Sequence, residues 1–243
     1  MLEPNKILVI RFSSLGDLIL TSPIFRELRR IFPGANLNLL TSVGFGDVLD
    51  NNPHLDRIIK HPRKENFEQL NQLIDELQAA EFDLIYDAHR SMRSRWIVSR
   101  LTAFGMKRQP AVWKINKRTL NRKLLIHLGW NRLQQGLSQR EQWLLPLKQH
   151  APHGLDASTE LFPDQEDIGL IETLMSEHNL LPRGFIAIGP SASQPLKCWP
   201  LVHFTHLTEK LIQSGWKIVL VGGPDEPEPC LLYTSDAADD DVS

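Results

Sequence analysis

Near the amino terminus four apolar residues, Ile7-Leu8-Val9-Ile10, run straight into the loop Arg11-Phe12-Ser13-Ser14-Leu15-Gly16-Asp17. A short, continuous, β-branched run of this kind reads as a parallel strand buried on both faces, and parallel strands need helical crossovers. The chain is thereby steered toward an open α/β fold, in which ligands sit beyond the carboxyl ends of the strands. Asp17 stands at that edge, where a first strand gives way to a first helix. The loop lacks the G-x-G-x-x-G spacing of a dinucleotide fingerprint, and the second strand, Leu37-Asn38-Leu39-Leu40-Thr41, ends without the acid that would hold a ribose. It presents Asp17 and does not cradle a pyrophosphate. The plainer reading is a carboxylate in the first turn of a helix, where it complements the macrodipole by about 0.3–1 kcal/mol. The helix start itself has two solutions: the serines at 13 and 14 can cap it, or Thr21-Ser22-Pro23 supplies an N-cap followed by proline.

The 243 residues suffice for one large domain or two modest ones, and 42% hydrophobic with 23% charged residues is the composition of an ordinary globular protein. Two cysteines, Cys198 and Cys230, make neither a disulfide framework nor a four-ligand zinc site, which fits a reducing compartment. No apolar run approaches the ~20 residues of a membrane span, and the first residues lack the layout of a signal peptide. The expectation is a cytoplasmic chain, with peripheral contact to a membrane left open. The net charge of −2 conceals an asymmetry: residues 88–132 hold twelve Lys or Arg and no Asp or Glu. Either this is a solvated surface whose charges share a sign, or it meets an anionic partner, a phosphorylated or carboxylated substrate or a membrane surface. No nucleic-acid motif accompanies it, so nucleic acid is not expected.

Leu70, Leu73, Ile74 and Leu77 mark an amphipathic helix, which leads into the strand Leu84-Ile85-Tyr86. That strand ends at Asp87-Ala88-His89-Arg90, a second carboxyl edge, and Ser91 opens the next helix. The free N–H groups of that helix start, with Arg90, Arg93 and Arg95, suit an anion. His89 by itself carries little weight. A further helix is expected over Thr119–Leu128, and residues 150–163, with Pro152, Gly154 and Pro163, read as a linker. A second α/β pattern follows: a helix near 164–179, a strand at 185–188, a helix over 201–214 and a strand at 217–221. Between the first of these strands and the helix after it, Ser191, Ser193 and Lys197 precede a helix start, a set suited to a phosphate. The plainer reading is a connecting loop with Trp199 packed in the core.

Together these segments resemble glycosyltransferase family 9, the ADP-heptose:lipopolysaccharide heptosyltransferases. The resemblance covers residues 6–228 and rests on RFSSLGDLILTSP at 11–23, FDLIYDAHRSMRSRWIVSRL at 82–101, KCWP at 197–200 and VLVGG at 219–223. It implies an α/β fold of GT-B type, an amino-terminal Rossmann-like domain facing a second, incomplete one across a cleft. On that basis residues 1–150 hold the acceptor, 151–163 link, and 164–229 are part of a nucleotide-sugar domain. The implied reaction moves heptose with inversion from ADP-heptose to the Kdo or heptose of the lipopolysaccharide inner core, at the cytoplasmic face of the inner membrane. Asp17 then matches the general base and Lys197 the lysine on the donor diphosphate, with Ser191 and Ser193 beside it. Ser13, Ser14 and Gly16 of the first loop, and Asp87, Arg90, Arg93 and Ser94 of the second, fall on the acceptor side. A lysine and backbone donors on the leaving phosphate make a metal or cofactor unnecessary.

The D-S-G-x-x-H and G-P-T segments that the resemblance leads one to expect have no counterpart, so a chain of this length is expected to turn over little. The last fourteen residues, CLLYTSDAADDDVS at 230–243, continue neither pattern and read as a non-native tail. Two other classes stay open: a non-catalytic module that binds anionic glycans or a membrane surface, and a related GT-B transferase with another sugar.

Overall fold

A computed structural model of the chain describes residues 3–64, 66–103, 109–132, 136–190 and 197–222, with the backbone alone at 119, 120 and 122. It forms two compact units, Met1–Asp164 and Gln165–Ser243.

In the first unit β1 (Lys6–Ile10) pairs in parallel with β2 (Asn36–Ser42) and with β4 (Leu84–Asp87), while β3 (Arg57–His61) and β5 (Ala111–Lys114) form the edges. The sheet order is β3-β2-β1-β4-β5. Alternating residues of the central strands serve two cores. Ile7, Val9, Leu37, Leu39, Leu84 and Tyr86 face a cluster with Ile24, Phe25 and Leu28 of α2 (Ser22–Ile31). Leu8, Ile10, Leu40 and Ile85 face the other, with Leu73, Ile74 and Leu77 of α3 (Phe67–Ala79) and Ile97, Val98 and Leu101 of α4 (Met92–Leu101). The continuous apolar runs are therefore explained by burial on both faces.

The order also creates a topological switch, because β1 leads away to β2 and β3 on one side while β4 and β5 lie on the other. The loops after β1 and β4 consequently part to opposite faces and leave a crevice at their carboxyl ends.

Both helix starts proposed for residues 13–23 exist. Ser14 is the N-cap of a short α1 (Leu15–Ile19), and Thr21 the N-cap of α2, with proline in its first turn. α5 (Thr119–Leu128) and α6 (Gln139–Leu144) complete the unit. Residues 155–160, within the expected linker, lie along α2: Arg26 pairs with Glu160 at 2.9 Å and donates to the carbonyls of Asp156 and Ser158, while the Glu160 N–H donates to Ser22 Oγ at 3.0 Å.

The second unit holds α7 (Gln165–Glu177), β6 (Phe185–Ile188), α8 (Leu201–Gln213) and β7 (Lys217–Leu220), the two strands paired in parallel. Among its described residues Ile188 is the one buried hydrophobic, whereas Leu170, Ile171, Leu174, Ile212 and Val221 are exposed. Two strands and two helices present apolar faces that they cannot cover mutually.

Candidate functional site

The site is assembled where β1 and β4 end side by side. Arg11, the residue after β1, is 4% exposed, an unusual position for a guanidinium, and it is compensated from several directions. One terminal nitrogen donates to the Ala88 carbonyl at 2.6 Å, bridging the two strand exits, and the other pairs with Asp17 Oδ2 at 2.5 Å. The guanidinium also lies over the ring of buried Trp143, 4.5 Å from its centroid. Burial lowers the Arg11 pKa, and the charges of Asp17 and Asp87 oppose that shift.

Asp17 occupies the third position of α1, with its side chain about one-third exposed. Its Oδ2 also takes long contacts, 3.4 Å each, from the Ser14 N–H and hydroxyl. Among the described residues Oδ1 has no partner and remains open to a ligand. Ser14 and Gly16 are exposed, Ser13 is half-buried, and a Cβ at Gly16 would meet nothing within 4 Å.

The loop after β4 is held from within by Asp87. This buried carboxylate accepts the N–H groups of His89 (3.1 Å) and Arg90 (2.7 Å) on Oδ1 and the Ser94 hydroxyl (3.2 Å) on Oδ2. Ser94 is itself fully buried, and its Oγ accepts the Ser91 N–H in a capping box. Asp87 and Ser94 are buried and hydrogen-bonded within the loop, where they shape the segment that carries Arg90 and Arg93. Asp87→Ala is expected to cost about 2–4 kcal/mol by stranding two N–H groups and a hydroxyl, and Asp87→Asn clearly less. Urea denaturation of the two variants checks this, and equal stabilities would refute it.

Arg90 takes a positive φ of 51° and donates to the Ile115 carbonyl at 3.2 Å. Arg93 crosses the face of Phe12 at 4.0 Å and reaches His61 Nδ1 at 2.8 Å and the Pro62 carbonyl at 3.1 Å, joining the exits of β1, β3 and β4. His89 stands edge-on to Phe12, and its Nδ1 is buried without a partner among the described residues. Its pKa is lowered to about 4, first by desolvation and then by the charges of Arg11 and Lys117. Lys117, just past β5, is likewise lowered, by loss of solvation and then by Arg11. Arg11, Lys117, Arg93 and the Asp17 carboxylate thus all act on a neutral imidazole at the exits of β1 and β4.

The imidazole has a measurable consequence. An unfolded histidine takes its proton near pH 6.5 whereas folded His89 does so near 4, so acidification across that window favours unfolding. Solvent screening of the half-buried ring limits the effect to about 1 kcal/mol. NMR titration should place the His89 midpoint near 4, and His89→Gln should flatten the stability profile between those values; a midpoint at or above 6.5 would contradict the assignment.

In the second unit Lys197 is exposed, ahead of the Pro200 N-cap of α8. Ser191 and Ser193 lie outside the described residues. Trp199 is not in a core: it is 48% exposed and packs on His203 and Phe204 of its own helix. Among the described residues no three His, Cys, Asp or Glu side chains gather as a metal ion would need. Sequence reasoning passed over Arg11, Lys117 and Trp143. Only Arg11 had a usable signal, its place directly after the first strand.

An open, doubly wound α/β unit with its site at the β1/β4 switch, followed by a second α/β unit, is the architecture of the GT-B class. The structure is similar to that of a family 9 glycosyltransferase from Veillonella parvula (TM-score 0.70, 21% identity, 95% of this chain and 66% of that one). It is also similar to the ADP-heptose lipopolysaccharide heptosyltransferase II of E. coli (TM-score 0.60, 19% identity, 90% and 65%). The sequence is 27% identical to lipopolysaccharide heptosyltransferase 3 of Escherichia coli over 88% of this chain and 62% of that protein. Against lipopolysaccharide heptosyltransferase 1 of Pseudomonas aeruginosa the figures are 23%, 90% and 61%. The model of glycosyltransferase family 9 (heptosyltransferase) matches residues 70–234. The chain belongs to glycosyltransferase family 9. It spans about 60% of the length of the curated relatives it matches.

Proposed function

We propose that the first unit is the acceptor side of an inverting heptosyltransferase, in which Asp17 removes the proton of an acceptor sugar hydroxyl as it attacks the anomeric carbon of ADP-heptose. The observation that carries this reading is the partly exposed carboxylate of Asp17 at the β1/β4 switch, held through Oδ2 by Arg11 and acting together with Arg11, Lys117 and Arg93 on the neighbouring His89. A sugar hydroxyl is a weak nucleophile, and a positioned carboxylate supplies what it lacks. The cations suit an acceptor bearing carboxylates or phosphates, such as the Kdo or heptose of the lipopolysaccharide inner core. Lys197 stabilises the departing ADP as a point charge, with Ser191 and Ser193 beside it and without a metal or cofactor. The protein works at the cytoplasmic face of the inner membrane as a peripheral protein. The names of its relatives support this substrate assignment, and membership of their family supports the reaction type.

The test is ADP release from ADP-heptose with a Kdo-bearing acceptor, run on the 243-residue chain and on a form extended at its carboxyl end to the relatives' length. Release by the extended form, and little by the shorter one, is expected. Absence of release from the extended form would remove the assignment.

A further inference from the structure

Outside the crevice, the described segment with the strongest surface character is α5 and the residues that follow it. No described residue of α5 is buried. Its exposed side carries Lys123, Ile126 and His127 at the i, i+3, i+4 spacing of one helix face, and Trp130 follows just past the helix end. Ile126 is 75% exposed and Trp130 57%. Trp130 lies beyond the helix yet does not trail away from it. Gly129, at a left-handed φ of 67°, ends the helix, with the Gly129 N–H donating to the Leu125 carbonyl and the Trp130 N–H to the Leu124 carbonyl. The Asn121 side chain then binds the Arg132 carbonyl at 3.1 Å, folding the next residues back along α5. Arg132 places its guanidinium 5.6 Å from the centre of the Trp130 ring. The result is a tryptophan and an isoleucine held outward, flanked by cations, in a region that contains no acidic residue from 88 to 132.

We infer that this face of α5, with Trp130 and Arg132, seats the first unit on an anionic lipid surface. Charge complementarity selects the occupant. The like-signed region repels a second copy of itself, while acidic headgroups meet Lys123 and Arg132 and the interfacial layer receives the indole and Ile126. Among the described residues no helix is long and apolar enough to cross a membrane, so the contact is one of lying on the surface. The inference rests on the peripheral placement proposed above and adds which residues make the contact.

The test is co-sedimentation of the full chain with vesicles of phosphatidylcholine, alone or with about 30% phosphatidylglycerol. Binding to the mixed vesicles, and not to the neutral ones, is expected. The Ile126→Ser/Trp130→Ser double variant should lose about tenfold or more in partitioning, and Lys123→Glu/Arg132→Glu at least as much, while Trp130→Phe retains most of it. These side chains are exposed, so far-UV circular dichroism should be unchanged. Asp17→Asn should bind vesicles like the parent, and the two readings fail separately: vesicle binding by the parent, with no transfer from the extended form, sinks only the transferase reading. Equal binding by parent and Ile126→Ser/Trp130→Ser would overturn the proposal. So would loss in these variants of self-association or RNA binding with vesicle binding intact.

Discussion

Asp17→Asn in the extended chain is expected to lower heptose transfer by about two to four orders of magnitude, the usual contribution of a positioned general base. The substitution is nearly isosteric. The amide oxygen can still accept from Arg11, so the exit of β1 keeps its shape, and because the carboxylate is about one-third exposed the stability change should stay below about 1 kcal/mol. What disappears is the capacity to take a proton. If the acceptor is bound by the neighbouring cations, as proposed, its binding should change little, so the loss belongs in kcat. Steady-state kinetics with varied acceptor check this, and a variant that lost activity only through KM would place Asp17 among binding groups.

The second large effect belongs to Arg11. Arg11→Met should destabilise the first unit by about 2–4 kcal/mol, because it strands the Ala88 carbonyl and removes the guanidinium from Trp143 and Asp17. Arg11→Lys should recover only part of this, since one ammonium cannot bond the Ala88 carbonyl and Asp17 in parallel while stacking on an indole. Arg11 also holds Oδ2 of Asp17, and with it the direction of Oδ1. Both variants should therefore lower kcat in the extended chain, by about tenfold or more, beyond any change in KM. Thermal denaturation and kinetics check the two parts separately. An Arg11→Met protein as stable as the parent would show that the bridge between β1 and β4 contributes nothing.

These effects meet at one place because the sheet order brings together two loops joined by a contact between residues 77 apart in the chain. Each loop was legible by itself. The runs before Arg11 and before Asp87 read as buried strands, and the chemistry beyond each strand end stood out as a carboxylate and a set of arginines. Their adjacency was not legible, since β1 and β4 become neighbours only through the order β3-β2-β1-β4-β5. The edge strands were not read either. Arg57–His61 and Ala111–Lys114 are short and carry charged residues, because one side of an edge strand faces solvent. Missing β5 also hid Lys117, which reaches the site only because it lies three residues past that strand. His89 was set aside as a lone histidine, and its burial against Phe12 and among cations is a tertiary property that no local pattern encodes. Asp87 carries a further role that no local pattern encodes: it turns inward and serves two backbone N–H groups and a serine.

The proposed chemistry requires Asp17 to meet an acceptor hydroxyl between the exits of β1 and β4. A crystal structure of the chain with a Kdo-bearing inner-core saccharide tests this most directly. The reading predicts a sugar hydroxyl within about 3 Å of Asp17 Oδ1, with the saccharide's acidic groups against Arg90, Arg93 or Lys117. A saccharide bound elsewhere on the first unit, with Asp17 turned from it, would contradict the claim.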